Sequence, residues 1–176
     1  MRGDGVKKIE IVVVETDPAL VQQAKNEGYP AVLGDATRSN YLRQAVAHKA
    51  KAIVVATNSD PTAVLVTLTA NEVAPDATII VSVREAENRH LLEQSGADQV
   101  VVSSENAGRL LGLATSKPKV VELIDDLLTP HQGFAIAERA VEPKEIGGSP
   151  RHLPDIVLGV VRDERLFRRD DPEVDT

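Results

Sequence analysis

Residues 9–18 are IEIVVVETDP, and this stretch decides the fold class. Its apolar run is dense in β-branched side chains, is too short for a helix and does not alternate, which is typical of a parallel strand buried on both faces. Asp17 and Pro18 match an N-cap and the first helical position, so a helix should follow directly and end at Gly28. The stretch predicts a strand followed by a helix.

The same strand and helix unit recurs along the chain. Further apolar runs lie at residues 31–34, 51–57, 77–84 and 98–102. Apolar residues at helical spacing follow these runs, which predicts a helix after each strand. Thr37 and Asp60 are predicted to cap the helices after the first two of these runs. Strand and helix therefore alternate, which predicts an α/β fold built on a Rossmann-like parallel sheet with right-handed crossovers.

The pattern changes after residue 103. Residues 104–128 form a longer amphipathic segment, which Pro118 is expected to bend or split. Its apolar surface exceeds what one face of a small sheet covers, so either a helix–helix dimer contact or packing on its own sheet accounts for it. Residues 129–133 are predicted to be a linker, and residues 134–176 a small β-rich lobe. The main domain is thus placed at residues 1–128.

Composition excludes several classes of function. The 176 residues contain no cysteine, which rules out disulfides, thiolate zinc sites and a thiol nucleophile. A pI near 5.1 and only four aromatic residues, two Tyr and two Phe, argue against nucleic acid as a partner. No run approaches the roughly 18 apolar residues that span a bilayer, and the start lacks the apolar stretch of a signal peptide, so we expect a soluble chain.

Polar residues directly after the apolar runs are the candidate ligand contacts, because ligands of open parallel sheets bind beyond the carboxyl ends of the strands. Glu15 ends the first run and is predicted to accept hydrogen bonds from both ribose hydroxyls of a dinucleotide; the alternative is a solvated strand-end acid. Asp35 is either an acceptor for the adenosine edge or an ordinary turn residue after Gly34.

Two later strand ends offer further candidates. Thr57 and Asn58 form either a small polar floor under a pyrophosphate or a turn before the helix. Arg84 either covers a phosphate or pairs with one of the neighbouring acids, Glu85 and Glu87. Together these residues favour a nucleotide site along one edge of the sheet.

The glycine-rich turn that holds a pyrophosphate is missing from the sequence. Gly3 and Gly5 give a G-x-G, but no strand precedes them and Lys8 replaces the third glycine. We therefore expect a sheet that lacks its first strand–helix unit. The four histidines are widely spaced and no G-x-S-x-G turn occurs, so neither a catalytic residue nor a metal site is predicted, and the chain is expected not to be an enzyme.

Three stretches in order resemble one known family. They are VVVETDPALVQQAKNEGYPAVLGDATRSNYL at residues 12–42, AIVVATNSD at 52–60 and VSVREAENRHLLEQSGADQVV at 81–101. They are similar to the RCK domain of the TrkA-N type, the cytosolic regulatory module of prokaryotic potassium channels and Trk/Ktr transporters. The resemblance covers roughly residues 9–128, and residues 133–166 resemble part of the RCK C-terminal lobe.

This resemblance implies a ligand-sensing, non-catalytic domain that couples NAD(H), adenine nucleotide or ion binding to gating of potassium flux. Glu15 matches the family's ribose acid, Asp35 and Ala36 its adenine-side turn, Ala56 and Thr57 its phosphate-side strand end, and Arg84 its arginine after the next strand. It also implies a homodimer, formed through the segment around residues 110–128, or a ring under a membrane pore subunit.

That role places the domain in the cytoplasm, against the inner face of the plasma membrane through its pore partner. The missing first unit implies weakened nucleotide affinity and an exposed apolar sheet edge. Two other functions stay open on the sequence: a degenerate NAD-binding protein of the oxidoreductase type, and a fragment that acts only as a dimerisation module.

Overall fold

The computed structural model describes residues 6–128, 136–163 and 165–175, which belong to two units, Met1–Ala135 and Ile136–Thr176. The predicted linker at residues 129–133 lies outside the described residues.

Strand and helix alternate through the first unit, as predicted. The strands are β1 (Val13–Glu15), β2 (Ala31–Leu33), β3 (Ala52–Val55), β4 (Thr78–Val83) and β5 (Gln99–Val102). The helices are α1 (Pro18–Asn26), α2 (Ser39–Gln44), α3 (Asp60–Val73), α4 (Arg89–Gln94), α5 (Ser103–Ser116) and α6 (Pro118–Leu128).

All pairing in the first unit is parallel, but it is divided between two sheets. β1 pairs with β2, with Glu15 opposite Leu33. β4 lies between β3 and β5 in a separate three-stranded sheet. The predicted α/β class and parallel pairing are confirmed, whereas the single continuous sheet is not seen among the described residues.

The core of the first unit lies between α3 and β4. On the helix, Ala63, Thr67 and Ala70 are fully buried at helical spacing. On the strand, alternate residues point at the helix: Val81 and Val83 have no exposed surface. The small side chains on α3 let the helix approach the strand closely, and the Thr67 hydroxyl is satisfied by donating to the Ala63 carbonyl at 2.7 Å.

Side-chain caps begin α1 and α3, and not every cap lies at the predicted residue. The Asp17 cap is confirmed, since its carboxylate accepts from the Ala19 amide at 2.7 Å. The caps predicted at Thr37 and Asp60 are wrong: Arg38 precedes α2 without a side-chain cap bond, and Ser59 is the N-cap of α3. The Thr37 side chain instead donates a hydrogen bond within its turn, and the Asp60 side chain accepts hydrogen bonds from the loop after β4.

Pro118 splits the long helical segment, as predicted. α5 ends at Ser116 and α6 begins at Pro118, with Lys117 between them at φ −139° and ψ 62°. Neither helix has a buried residue, and apolar side chains such as Leu111 (70% exposed) and Leu123 (48% exposed) face outward.

The second unit is less β-rich than predicted. It contains one antiparallel hairpin, β6 (Gly159–Arg162) with β7 (Arg165–Arg168), beside short 3-10 turns. The alternating stretch at residues 134–141 forms no strand over its described part, 136–141. Arg139 instead joins distant parts of the unit by ion pairs to Glu145 and Asp155, both at 2.8 Å. The hydrogen bonds that Glu145 accepts from the Arg139 guanidinium and the Glu142 amide hold the pKa of Glu145 at about 2.

The turn after α4 supplies a test of packing. Gly96 has φ +95°, and a Cβ there would lie 2.5 Å from Asn71 Nδ2 on α3. We expect Gly96→Ala to lower the free energy of unfolding by about 1–3 kcal/mol, measured by urea denaturation. Gly108→Ala is the control: a Cβ at Gly108 meets nothing within 4 Å, so helix propensity should leave that variant equal or more stable. Equal loss in both would contradict this account.

Candidate functional site

The end of β1 holds Glu15 in one orientation. Its Oε1 atom accepts hydrogen bonds from the Thr16 amide at 2.6 Å, the Thr16 hydroxyl at 3.1 Å and the Asp17 amide at 3.0 Å. Within the part of the chain that the structure describes, Oε2 takes no hydrogen bond. One carboxylate oxygen is thus fixed by the loop, and the other is left to accept from a ligand.

These contacts keep Glu15 ionised. The hydrogen bond from the Asp17 amide lowers the pKa of Glu15 most, and the bonds from Thr16 lower it further. Partial burial raises the pKa, but the hydrogen bonds together outweigh it. An ionised carboxylate at this position is a strong acceptor for neutral donors such as hydroxyls and repels a neighbouring phosphate.

The end of β2 lies directly beside Glu15, because the Gly34 amide donates to the Glu15 carbonyl at 2.9 Å. Asp35 Oδ1 accepts from the Thr37 hydroxyl at 2.7 Å and the Thr37 amide at 2.9 Å, and these bonds lower the pKa of Asp35. Ala36 follows in the same turn and packs against the core of the unit. Thr37 therefore shapes this turn instead of capping α2.

The Tyr41 ring fixes the same turn from α2. Three ring atoms of Tyr41 approach Gly34 so closely that a Cβ at position 34 would overlap them. Gly34 is thus needed for close packing of the ring, a role that the sequence pattern did not reveal.

The ends of β3 and β4 form a second polar cluster. The Thr57 hydroxyl donates to the Ser59 carbonyl at 2.9 Å, and Ala56 before it is exposed. Arg84 Nη1 donates to the Asn58 carbonyl at 3.3 Å and makes no ion pair with Glu85 or Glu87. Of the two alternatives for Arg84, pairing with these acids is therefore not what the structure shows.

Asp60 joins these two strand ends. Its carboxylate accepts from the Arg84 amide at 2.9 Å, the Glu85 amide at 3.1 Å and the Asn88 side chain at 2.8 Å, and only 7% of Asp60 is exposed. Burial is the largest influence on the pKa of Asp60 and raises it, but the three hydrogen bonds and the charge of Arg84 together lower the pKa.

The candidate residues therefore gather in two groups. Glu15, Asp35 and Ala36 lie at the ends of β1 and β2, and Ala56, Thr57 and Arg84 at the ends of β3 and β4. No hydrogen bond among the described residues joins one group to the other. Two surface cavities of about 500 and 380 Å³ lie in the second unit, and none of these six residues lines them.

Sequence reasoning missed the residues that position the second group. The Asp60–Pro61 pair matches a common helix start and so predicts a cap at Asp60, yet Ser59 one residue earlier is the N-cap. Ser104 on α5 also holds this group, because its hydroxyl donates to the Arg84 carbonyl. The partners of both lie at least 20 residues away in sequence, so no local pattern signals them.

Two further searches concern the described residues only. They contain no cluster of histidine, aspartate or glutamate side chains arranged to hold a metal ion. In the same residues, no helix has the length and apolarity that crossing a membrane requires.

Alternating strands and helices, with polar side chains at the carboxyl ends of parallel strands, define a Rossmann-like α/β domain. The family follows from comparison: the model of the TrkA-N domain matches residues 3–103, and the chain belongs to that family. The resemblance to RCK domains of potassium channels is thereby confirmed.

Individual relatives agree with this placement. Potassium channel protein 1 of Methanocaldococcus jannaschii is 26% identical over 140 residues, covering 78% of this chain, which spans 42% of that protein. The TrkA-N domain of the Escherichia coli inner membrane protein ybaL is 26% identical, with a TM-score of 0.55 over 58% of this chain and 76% of that one.

The GsuK channel shares the fold. Its structure bound to ADP is 24% identical with a TM-score of 0.53, covering 74% of this chain and 39% of that one. Its structure bound to NAD is 23% identical with a TM-score of 0.50, covering 69% and 26%.

The Asp60 contacts generate a prediction with a defined pH dependence. Since the folded-state pKa lies below the ordinary 3.8, the carboxylate contributes stability above about pH 4 and loses it as the pH falls through the folded-state value. Asp60→Asn should lower the free energy of unfolding at pH 7 by about 1–3 kcal/mol and flatten the acid-induced loss, both measured by urea denaturation.

Asp76→Asn is the matched control, because Asp76 is exposed and its side chain makes no hydrogen bond within the described part of the chain. It should reproduce the parent protein at every pH. Unchanged stability in Asp60→Asn would show that the carboxylate does not tie the two loops.

Proposed function

We propose that this chain is a ligand-sensing regulatory domain of a potassium channel or potassium uptake system, and that it binds an adenine nucleotide or NAD(H) at the carboxyl ends of β1 and β2. One observation carries the proposal: the ionised Glu15 carboxylate, held by its own loop with one oxygen available, at the strand end of a TrkA-N domain.

The chemistry of these strand ends suits a nucleoside. The available Glu15 oxygen can accept from ribose hydroxyls, and the Asp35–Ala36 turn lies beside it for contact with the adenosine edge. The GsuK structures with ADP and NAD support this choice of ligand class.

A binding role fits these side chains better than catalysis. A general base works best with a pKa near the operating pH, whereas the hydrogen bonds to Glu15 and Asp35 lower both pKa values. Such carboxylates are strong acceptors and weak bases. We therefore place the chain among regulatory domains and not among NAD-dependent oxidoreductases.

The α5–α6 arm supports a self-association role. Both helices are amphipathic yet have no buried residue, and Leu111, Val120, Leu123 and Leu128 are 39–70% exposed. An apolar helix face of this kind is stabilised when it packs on an identical face in a homodimer. A ligand that binds one dimer geometry more tightly would then favour that geometry. The difference in affinity sets how far the ligand can shift the conformational equilibrium of a pore partner.

In this role the domain lies beside the inner face of the plasma membrane, held there by a pore subunit. The chain spans less than half of the potassium channel relative that it matches, so the partner and the direction of regulation belong to the proposal.

The ligand site is tested by calorimetry with NADH, NADPH, ADP and ATP on the purified chain. We expect NADH to bind more tightly than NADPH, since Glu15 repels a 2′-phosphate. Glu15→Gln keeps the bonds from the Thr16 and Asp17 amides but loses the charge, and should weaken binding by about tenfold or more.

Glu93→Gln is the control, because Glu93 lies exposed on α4 and its side chain makes no hydrogen bond to any residue that the structure describes. Equal affinity in Glu15→Gln and the parent protein would remove Glu15 from the site. Absence of heat with all four nucleotides would overturn the nucleotide-binding proposal itself.

The dimer is tested by light scattering. The parent chain should show twice its monomer mass of 18.9 kDa, and Leu123→Lys should show the monomer mass, because a charge cannot be buried unpaired in an apolar contact. Asp126→Lys, on the polar side of α6, should stay dimeric. A dimer in both variants would show that this arm is not the contact.

A further inference from the structure

The end of the β6–β7 hairpin that lies opposite its turn brings Leu158 and two arginines together. Gly159 is paired with Arg168 in the antiparallel register. The pairing continues one residue further, because the Arg169 amide donates to the Leu158 carbonyl at 3.1 Å. The hairpin therefore fixes the backbone of Arg168 and Arg169 beside Leu158.

A third arginine reaches the same place from a separate turn. Arg151 lies in the 3-10 turn Pro150–His152, where its amide donates to the Ser149 hydroxyl oxygen at 3.3 Å and Pro150 is buried. The Arg151 Nε atom donates to the Arg169 carbonyl at 3.2 Å. The Arg151 side chain is thus held against the end of the hairpin, 18 residues away along the chain.

These side chains line a surface cavity of about 500 Å³, a volume within the range typical of small-ligand sites. The residues that line it are Arg151, Leu158, Arg168, Arg169 and Asp170. Three arginines and one aspartate give this lining a formal charge of +2. The cavity is therefore positively charged, although the whole chain carries a net charge of −7.

Three of the charged side chains in the lining have no opposite charge beside them in the part of the chain that the structure describes. Arg168, Arg169 and Asp170 are exposed and take part in none of the ion pairs among those residues. Arg139 in the same unit, by contrast, pairs with two acids at 2.8 Å. Because like charges repel, gathering arginines at one cavity costs free energy, and a bound anion would offset that cost.

The charge and the composition of the lining favour a phosphate monoester. The second pKa of such an ester lies near 6, so at pH 7 it carries close to two negative charges, which match the lining. Guanidinium groups bind phosphate oxygens through two parallel hydrogen bonds. None of the five lining residues is aromatic, so a nucleotide base would find no stacking surface.

We propose that this cavity binds a small phosphate monoester whose carbon skeleton carries a hydroxyl group. Arg151, Arg168 and Arg169 bind the phosphate. Asp170 accepts a hydrogen bond from the hydroxyl group, and Leu158 contacts the carbon skeleton. The site uses none of the residues at the ends of β1 and β2, so it is independent of the proposed nucleotide site.

Calorimetry with glycerol 3-phosphate on the purified 176-residue chain tests this site. We expect one molecule bound per chain, at least about threefold more tightly than inorganic phosphate, which lacks a carbon skeleton for Leu158 to contact. Glu15→Gln should bind the ester as the parent chain does, so failure of the nucleotide site leaves this test unaffected. Absence of binding at millimolar ester would overturn the proposal.

Arginine variants separate a specific site from a general attraction of anions. Arg168→Gln removes an exposed guanidinium group and should weaken binding by about tenfold or more. Arg168→Lys keeps the charge but loses the planar fork of donors, so it should weaken binding by about threefold or more.

Arg43→Gln is the matched control, because Arg43 is exposed on α2 and its side chain makes no hydrogen bond or ion pair with any described residue. It should bind glycerol 3-phosphate as the parent chain does. Equal weakening in Arg43→Gln and Arg168→Gln would reduce the effect to overall charge and contradict a specific site. Unchanged binding in Arg168→Gln would contradict it equally.

Asp170→Ala tests the recognition of the hydroxyl group. Loss of the negative charge should tighten the binding of inorganic phosphate, and the preference for glycerol 3-phosphate should shrink because the acceptor for its hydroxyl group is gone. A preference that stays as large as in the parent chain would contradict the role given to Asp170.

Vesicles of phosphatidylcholine with phosphatidic acid present the same phosphate group on a membrane surface. Since the whole chain is acidic, we expect the protein not to sediment with these vesicles. Sedimentation with the vesicles without binding of the soluble ester would identify the ligand as a lipid and overturn the proposal of a small-molecule site.

Discussion

The close packing of α3 on β4 is the constraint on which the first unit depends. Ala63, Thr67 and Ala70 leave room for the strand, and Val81 and Val83 fill the contact without exposed surface. This contact sets where α3 begins, and hence where the Asp60 carboxylate meets the loop after β4. The polar ends of β3 and β4 are thus positioned by the apolar packing of the helix that begins at Asp60.

Features that depend on a few neighbouring residues could be predicted from the sequence. The Asp17 cap and the helix break at Pro118 follow from local backbone chemistry, and the position of Glu15 at a strand end follows from the apolar run before it. Asp60 could not be assigned in this way. Ser59 offers an equally good local cap, and only the fold brings the Arg84 amide, 24 residues away, to the Asp60 carboxylate.

Alternation also overstated the β content of the second unit. Ile136 and Val141 are 61% and 55% exposed, so the described part of residues 134–141 has no sheet face that these side chains could cover. The division of the parallel strands into two sheets could not be predicted, because apolar runs alone do not tell which strands pair. Similarly, the position of Glu15 at a strand end does not reveal that the following loop donates hydrogen bonds to one of its carboxylate oxygens.

The break between α5 and α6 has a mechanical consequence. Pro118 has no N–H to donate to the Ala114 carbonyl, and its ring would collide with that turn, so the two helices cannot anneal into one straight rod. Bending at Lys117 changes two soft dihedral angles, whereas straightening is blocked by covalent chemistry. The α5–α6 arm therefore has one hinge, at Lys117, and the position of that hinge is fixed by Pro118.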